Sequence, residues 1–108
     1  MRQNIRIDYS YQPPYGDGGK SLFFYSHWDG DGPLKEKLKQ ALIRGIERWD
    51  DESYLARIIF SEMTKEDIDS LTSYGIAPYE TDPQFPTIVV NMKEKTVDGL
   101  PFTDFIRT

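Results

Sequence analysis

The stretch Leu22-Phe-Phe-Tyr-Ser-His-Trp-Asp-Gly-Asp-Gly-Pro33 decides the fold. Its first half is apolar on both faces from Leu22 to Tyr25, the pattern of a central strand. Its second half stops that strand and opens a helix. Pro33 suits the first helical position, with Gly32 or Asp31 as the cap ahead of it. Beyond it, Leu34, Leu38, Ala41, Leu42, Gly45, Ile46 and Trp49 recur as one helical stripe. Lys35, Lys37, Lys39, Arg44 and Arg48 crowd the opposite face beside Glu36 and Glu47. Gly45 on the buried stripe costs roughly 1 kcal/mol relative to alanine; close approach of another backbone would offset that, and a kink is the alternative. The join between strand and helix is where many folds keep a ligand site. It holds the only histidine, His27, and one of two tryptophans, Trp28.

Upstream, residues 4–10 alternate Ile5, Ile7 and Tyr9 with Arg6, Asp8 and Ser10, a half-buried strand. Residues 12–20 are rich in Pro and Gly and form a loop, so the strands at 4–10 and 21–27 pair antiparallel across a long hairpin connection. Downstream, Asp50 and Asp51 interrupt and cap a second helix over 53–63, apolar almost all round except at Arg57. Thr64-Lys-Glu-Asp67 fits a variant capping box and predicts a short third helix through Leu71, ended by Tyr74-Gly75. Residues 76–80 are a strand entrance broken by Pro78, and 87–92 a clear strand. Lys93-Glu94-Lys95 turns the chain into a short strand at Thr96-Val97, and Thr103 caps a final helical turn. The expectation is one α+β domain over 1–108 in the order ββαααββ. Its antiparallel sheet has about four strands, with two to three helices packed on one face.

Composition narrows the function classes. With 108 residues the chain can bury a core unaided, and 38% apolar residues is too many for a disordered protein. It has no cysteine, which excludes disulfides, zinc–thiolate sites and thiol catalysis. No apolar segment reaches the length of a signal peptide or a membrane span, so a soluble cytoplasmic protein is expected. Residues 1–48 carry eight Lys/Arg against six Asp/Glu, and 49–108 carry five against twelve. This balance argues against duplex-DNA binding, which needs a broad basic face.

Three further stretches belong together: Tyr25-Ser-His-Trp-Asp-Gly30, Arg48-Trp-Asp-Asp-Glu-Ser-Tyr-Leu-Ala-Arg-Ile-Ile-Phe-Ser-Glu-Met63 and Tyr74-Gly-Ile76. They resemble a group of small uncharacterised proteins encoded by bacteriophages and prophages, notably of actinobacteria. The likeness spans roughly residues 22–76, and its long middle stretch is the specific part. A second glycine often stands in those proteins where this chain has Asp29, so Asp29 is not an obligatory ligand. The resemblance implies a viral origin and a host cytoplasmic location, carries no catalytic residues over, and points toward counter-defence by contact with a host enzyme or by sequestering a nucleotide signal.

Each piece of candidate chemistry has a plainer reading beside it. Gly19-Lys20-Ser21 resembles the end of a phosphate loop, but Pro14 stands at the required glycine and a strand follows instead of a helix. His27, Asp29 and Asp31 have a calcium-loop flavour. Leu34 and Gln40 occupy the positions of the turn glycine and the bidentate glutamate, so the two aspartates read as helix-starting residues and no metal is expected. His27 as a general base needs an orienting partner, for which Asp29, Asp50, Asp51 and Glu52 are candidates; no activated-serine or zinc-deaminase motif accompanies it, and hydrogen bonding that fixes the turn is the simpler role. Arg57 amid apolar neighbours needs a partner. Either an internal carboxylate such as Asp50, Asp51 or Glu62 supplies it, or Arg57 recognises an anion. Ser53, Tyr54 and Ser61 lie near it along the helix, and Trp28 and Trp49 could stack on a base or hinge the core.

The reading that follows is a non-enzymatic binding protein without cofactor or catalytic residues. Its ligand is a small anionic, nucleotide-like molecule contacted by His27, Trp28, Arg57, Tyr54 and Ser53, with a homodimer as the reasonable assembly. The competing readings are an inhibitor that meets a host protein through its charged surfaces, and a small hydrolase or nuclease centred on His27.

Overall fold

A computed structural model describes residues 1–10 and 21–108. The loop expected over 12–20, with Gly19 and Lys20 of the phosphate-loop-like tripeptide, lies outside the described residues. Six strands form one sheet: β1 (Gln3–Asp8), β2 (Ser21–Ser26), β3 (Tyr74–Ala77), β4 (Ile88–Asn91), β5 (Thr96–Val97) and β6 (Leu100–Pro101), in the spatial order β3-β2-β1-β4-β5-β6. Helices α1 (Asp31–Arg44) and α2 (Glu52–Thr64) follow β2 and are joined by a 3₁₀ turn at Ile46–Arg48; the short α3 (Phe102–Phe105) ends the chain.

The α+β class holds, and β1 and β2 pair antiparallel as the alternation demands. The sheet is not antiparallel throughout, however, and it has six strands where about four were expected. β1 pairs β4 in parallel, Ile5 beside Ile88 and Ile7 beside Val90. Parallel neighbours need a long crossover, and here everything from β2 to β3 supplies it. The return segment is pinned at the start of β1, where Gln84 and Phe85 donate their backbone N–H groups to the carbonyl of Arg2 and Asn4 exchanges two hydrogen bonds with the backbone of Thr81. That anchorage delivers β4 running the same way as β1.

One sheet face carries Ile5, Ile7, Phe24, Ile88, Val90 and Val97, and it packs with Leu34, Leu38, Leu42, Leu55, Ile59 and Met63 of the helices in a single core cluster. Phe102 and Phe105 of α3 close one end, Phe102 edge-on against Trp49, whose indole N–H donates to the carbonyl of Leu42. Trp49 is thus a core hinge.

The helices differ from expectation at four points. α1 begins at Asp31, not Pro33, because Gly30 adopts φ +81° as its cap and no side chain caps it. α1 also ends at Arg44, where the stripe predicted continuation to Trp49; Gly45 closes it. The third helix does not form. Thr64 belongs to the last turn of α2, with its hydroxyl donating backward to the carbonyl of Phe60 at 3.1 Å, so it cannot cap forward. A chain of turns follows instead and leaves Ile68 and Leu71 75% and 95% exposed. The final helical turn begins at Phe102, so Thr103 lies inside it.

At Gly45 no other element's backbone comes close; the near neighbours are side-chain ends of α2 and a carbonyl of α1 itself. A Cβ there would lie 3.1 Å from Leu55 Cδ1, 3.3 Å from Ile58 Cδ1 and 3.1 Å from the carbonyl oxygen of Ala41. Alanine would reduce unfolded-state entropy by the equivalent of about 0.4–1 kcal/mol, but overpacking costs about 1–3. Gly45→Ala should therefore lower stability by about 1 kcal/mol in urea unfolding, and a raised midpoint would show that α2 yields more easily than this spacing implies.

Candidate functional site

β2 ends at Ser26, and the residues after it diverge. The His27 amide donates to the carbonyl of Ser73 at 3.0 Å, and His27 Nδ1 meets the Tyr25 hydroxyl at 2.5 Å. Trp28, 63% exposed, sets its ring edge-to-face on His27 with centroids 4.2 Å apart. Tyr25 pairs with Asn4 and Gly75 in the ladder, positions that alternate with the core-facing residues. The Tyr25–His27–Trp28 cluster therefore extends from the sheet face turned away from the helices.

Asp29 turns the other way. Its carboxylate accepts hydrogen bonds from Ser26 Oγ at 2.8 Å, Lys37 Nζ at 2.9 Å and the Tyr74 hydroxyl at 3.0 Å. Lys37 donates also to the Tyr74 hydroxyl at 2.8 Å and to the carbonyl of Met63 at 3.0 Å. Burial is the largest single influence on Lys37 and acts to lower its pKa. The bonds to Asp29 and Tyr74 outweigh it, so the ammonium is held more firmly than usual. Burial likewise raises the Tyr74 pKa. All three ammonium protons have acceptors, so this group is a clamp joining β2, α1, α2 and β3. Asp29 is a clamp residue, not the helix-starting residue expected of it. Asp31 does sit in the first turn of α1, where hydrogen bonds from Gln3 and then Lys35 hold its carboxyl below the ordinary range.

The second helix corrects the reading of Arg57. α2 buries Leu55, Ala56, Ile59, Glu62 and Met63, so Arg57 falls on the outer side and is exposed. None of the carboxylates proposed as its partner reaches it, and it makes no ion pair or hydrogen bond among the described residues. The buried ionic group is Glu62 instead, 1% exposed, paired with Arg44 and with Lys65 at 3.0 Å. Burial acts most strongly on Glu62 and raises its pKa, but the two cations together hold it below the usual carboxylate range.

Arg57 lines a groove of about 790 Å³ between the outer side of α2, the turns after it and β3. Phe60, Ile68, Leu71 and Ile76 give apolar walls, Tyr74 joins the groove to the clamp, and Arg44, Lys65 and Asp67 complete its charged rim. A concave, mostly apolar space with a few converging polar groups is the common form of a small-molecule site.

Among the residues read as ligand contacts, only Arg57 lines this groove. Ser53 and Tyr54 lie exposed at the start of α2, and the Arg48 guanidinium rests 5.4 Å from the centroid of the Tyr54 ring. His27 and Trp28 belong to the cluster on the other side of the sheet. Glu62 with Lys65 at i,i+3 was legible as a surface pair. The contributions of Arg44, Ile68, Leu71 and Ile76 were not, because they depend on how α2 docks and on a helix that does not form. No group of three or more His, Asp or Glu suited to a metal ion occurs among the described residues, and no helix among them is long and apolar enough to cross a membrane. No protein-family model, curated protein or solved structure matches the chain.

Proposed function

We propose that this chain is a non-enzymatic, phage-derived binding protein that sequesters a small anionic, nucleotide-like ligand in the groove around Arg57, as a counter-defence device in the host cell. The observation that carries the reading is Arg57 itself. It is the groove cation without an ion pair among the described residues, while Arg44 and Lys65 beside it hold Glu62. A guanidinium with open donors suits a phosphate or carboxylate, and the apolar walls suit the flat body of a base. Viral origin and counter-defence rest on the sequence resemblance alone.

The competing reading, a host-protein inhibitor acting through its acidic half or its basic helix face, has less support on the basic face of α1 and the turn after it. Lys35 pairs with Asp31, Lys39 with Glu36, Arg44 with Glu62 and Arg48 with Asp51, which leaves that face largely self-neutralised.

Calorimetry with a panel of cyclic and linear nucleotides tests the proposal. At least one should bind, and Arg57→Ala should weaken it roughly tenfold to a hundredfold, the worth of hydrogen bonds to a charged group. His27→Ala should leave the affinity unchanged. Heat with none of them, or loss with His27→Ala and not with Arg57→Ala, removes the groove as the site.

A further inference from the structure

β3 ends the sheet on one side, and its register with β2 dictates which backbone groups face outward. One step past the ladder the His27 amide donates to the carbonyl of Ser73, which continues the ladder in hydrogen-bonded register on that side, while the Ser73 amide turns to Ser70 Oγ. Bonded and non-bonded pairs alternate. Gly75 opposite Tyr25 and Ala77 opposite Phe23 therefore turn their backbone groups inward, and Tyr74 and Ile76 turn theirs outward. Among the described residues no other segment takes up those outward groups. Open edges are usually guarded by lysine, proline or a bulge. Tyr74-Gly75-Ile76-Ala77 carries none of these along its length, Pro78 coming only after the strand has ended, and its Ile76 is 56% exposed and lines the groove with Leu71 and Ile68. The opposite edge, β6, is two residues long, contains Pro101 and runs straight into α3.

We infer that β3 pairs antiparallel with β3 of a second copy of this chain, about a two-fold axis through Gly75, and that this pairing closes the Arg57 groove. The register is self-complementary. Two outward residues flanking one inward residue let Tyr74 meet Ile76 of the partner subunit as a hydrogen-bonded pair, and Ile76 meet Tyr74 of the partner subunit. Gly75 then faces Gly75 of the partner subunit as the non-bonded pair, where strands approach most closely and no side chain intervenes. The rim carries both signs, Arg57 and Lys65 with Asp67, all exposed, and a surface of mixed sign suits an inverted copy of itself better than a partner of uniform charge. The axis stands perpendicular to the sheet, so both helix layers lie on the same side and the two grooves face each other across it. Such an isologous pair uses up the open edge and stops at two copies. The part of the inference that concerns a ligand rests on the groove reading above; the pairing stands on the register.

The test uses a chain that has no cysteine of its own. A Cβ at Gly75 would meet only Tyr25 Cβ and Cδ2, at 3.8 and 3.9 Å, so Gly75→Cys fits the monomer. Non-bonded pairs hold their Cα atoms about 4.5 Å apart, within the disulfide range. Gly75→Cys should form a covalent dimer under mild oxidation, while Ala77→Cys, on the same strand and face but far from its symmetry mate, should not. Wild-type protein should sediment at twice its 12.6 kDa. Ile76→Pro removes one outward N–H per chain without touching the ladder to β2, and should raise the dimer dissociation constant at least about tenfold. Equal crosslinking of the two cysteine variants, or a 12.6 kDa species with and without nucleotide, overturns the pairing. A monomer that still binds nucleotide overturns the pairing and leaves the groove reading standing; a dimer that binds none does the reverse.

Discussion

Lys37→Met should lower stability by about 3 kcal/mol, since it leaves the largely buried Asp29 carboxylate without its cation. Methionine keeps most of the aliphatic stem, so the loss reports the ammonium and not the packing. For a domain of this size the melting temperature should fall by roughly 10–20 °C. The clamp ties four elements, and its loss should also loosen β3, which is held at the sheet edge by β2 and by the bonds from Tyr74 to Lys37 and Asp29. Adding Asp29→Leu should restore most of the stability, because removing both members of a buried pair is often close to neutral where removing one is not. Thermal melts of the two single variants and the double decide it. Additive losses would mean that the groups contribute independently and that no clamp exists.

Cutting Arg44 and Lys65 to alanine together should cost about 3 kcal/mol at neutral pH, well above the sum of the single changes. Either cation alone still faces the Glu62 carboxylate; with both gone, a side chain only 1% exposed has no counter-charge. The value lies at the low end for broken buried pairs because the shortened side chains admit water. Its pH dependence has a definite sign. Glu62 titrates below its ordinary value in the folded protein, so its stabilisation is present above the unfolded carboxylate pKa and is lost as pH falls through the folded one. The deficit of the double variant is therefore full at neutral pH and should shrink at an acid pH, once the carboxyl has taken up its proton. Urea titrations at the two pH values measure it, and a deficit independent of pH would remove Glu62 as the cause.

Much of the local structure was legible because it depends on patterns that no distant residue can alter. The alternation around Ile5 and Ile7, the apolar run at Leu22–Tyr25 and the stripe from Leu34 to Leu42 each become the expected element. The failures share a cause, competition that local pattern does not show. Thr64 can cap forward or bond backward, and the continuing register of α2 decides for the backward bond. Arg57 looked buried because its sequence neighbours are apolar. Burial on a helix is set by angle about the axis, and Leu55, Ile59 and Met63 lie on the far side of it.

The candidate site follows the same division. The residues that attracted notice by type, His27, Trp28, Tyr54 and Arg57, were visible in the chain, but their grouping was not, since alternation along β2 sends Tyr25 and its aromatic neighbours to one face while α2 carries Arg57 to the other. What the sequence alone determined is the class of the fold, the strand-to-helix join at Leu22–Pro33 and the absence of thiol chemistry, all properties of composition and short-range period. The tertiary structure alone decided the parallel seam between β1 and β4, the clamp that occupies Asp29, the buried charge at Glu62 and the open edge of β3. Each depends on which distant segments meet, and those meetings are selected by burial of the whole apolar surface at once and not by any stretch of it.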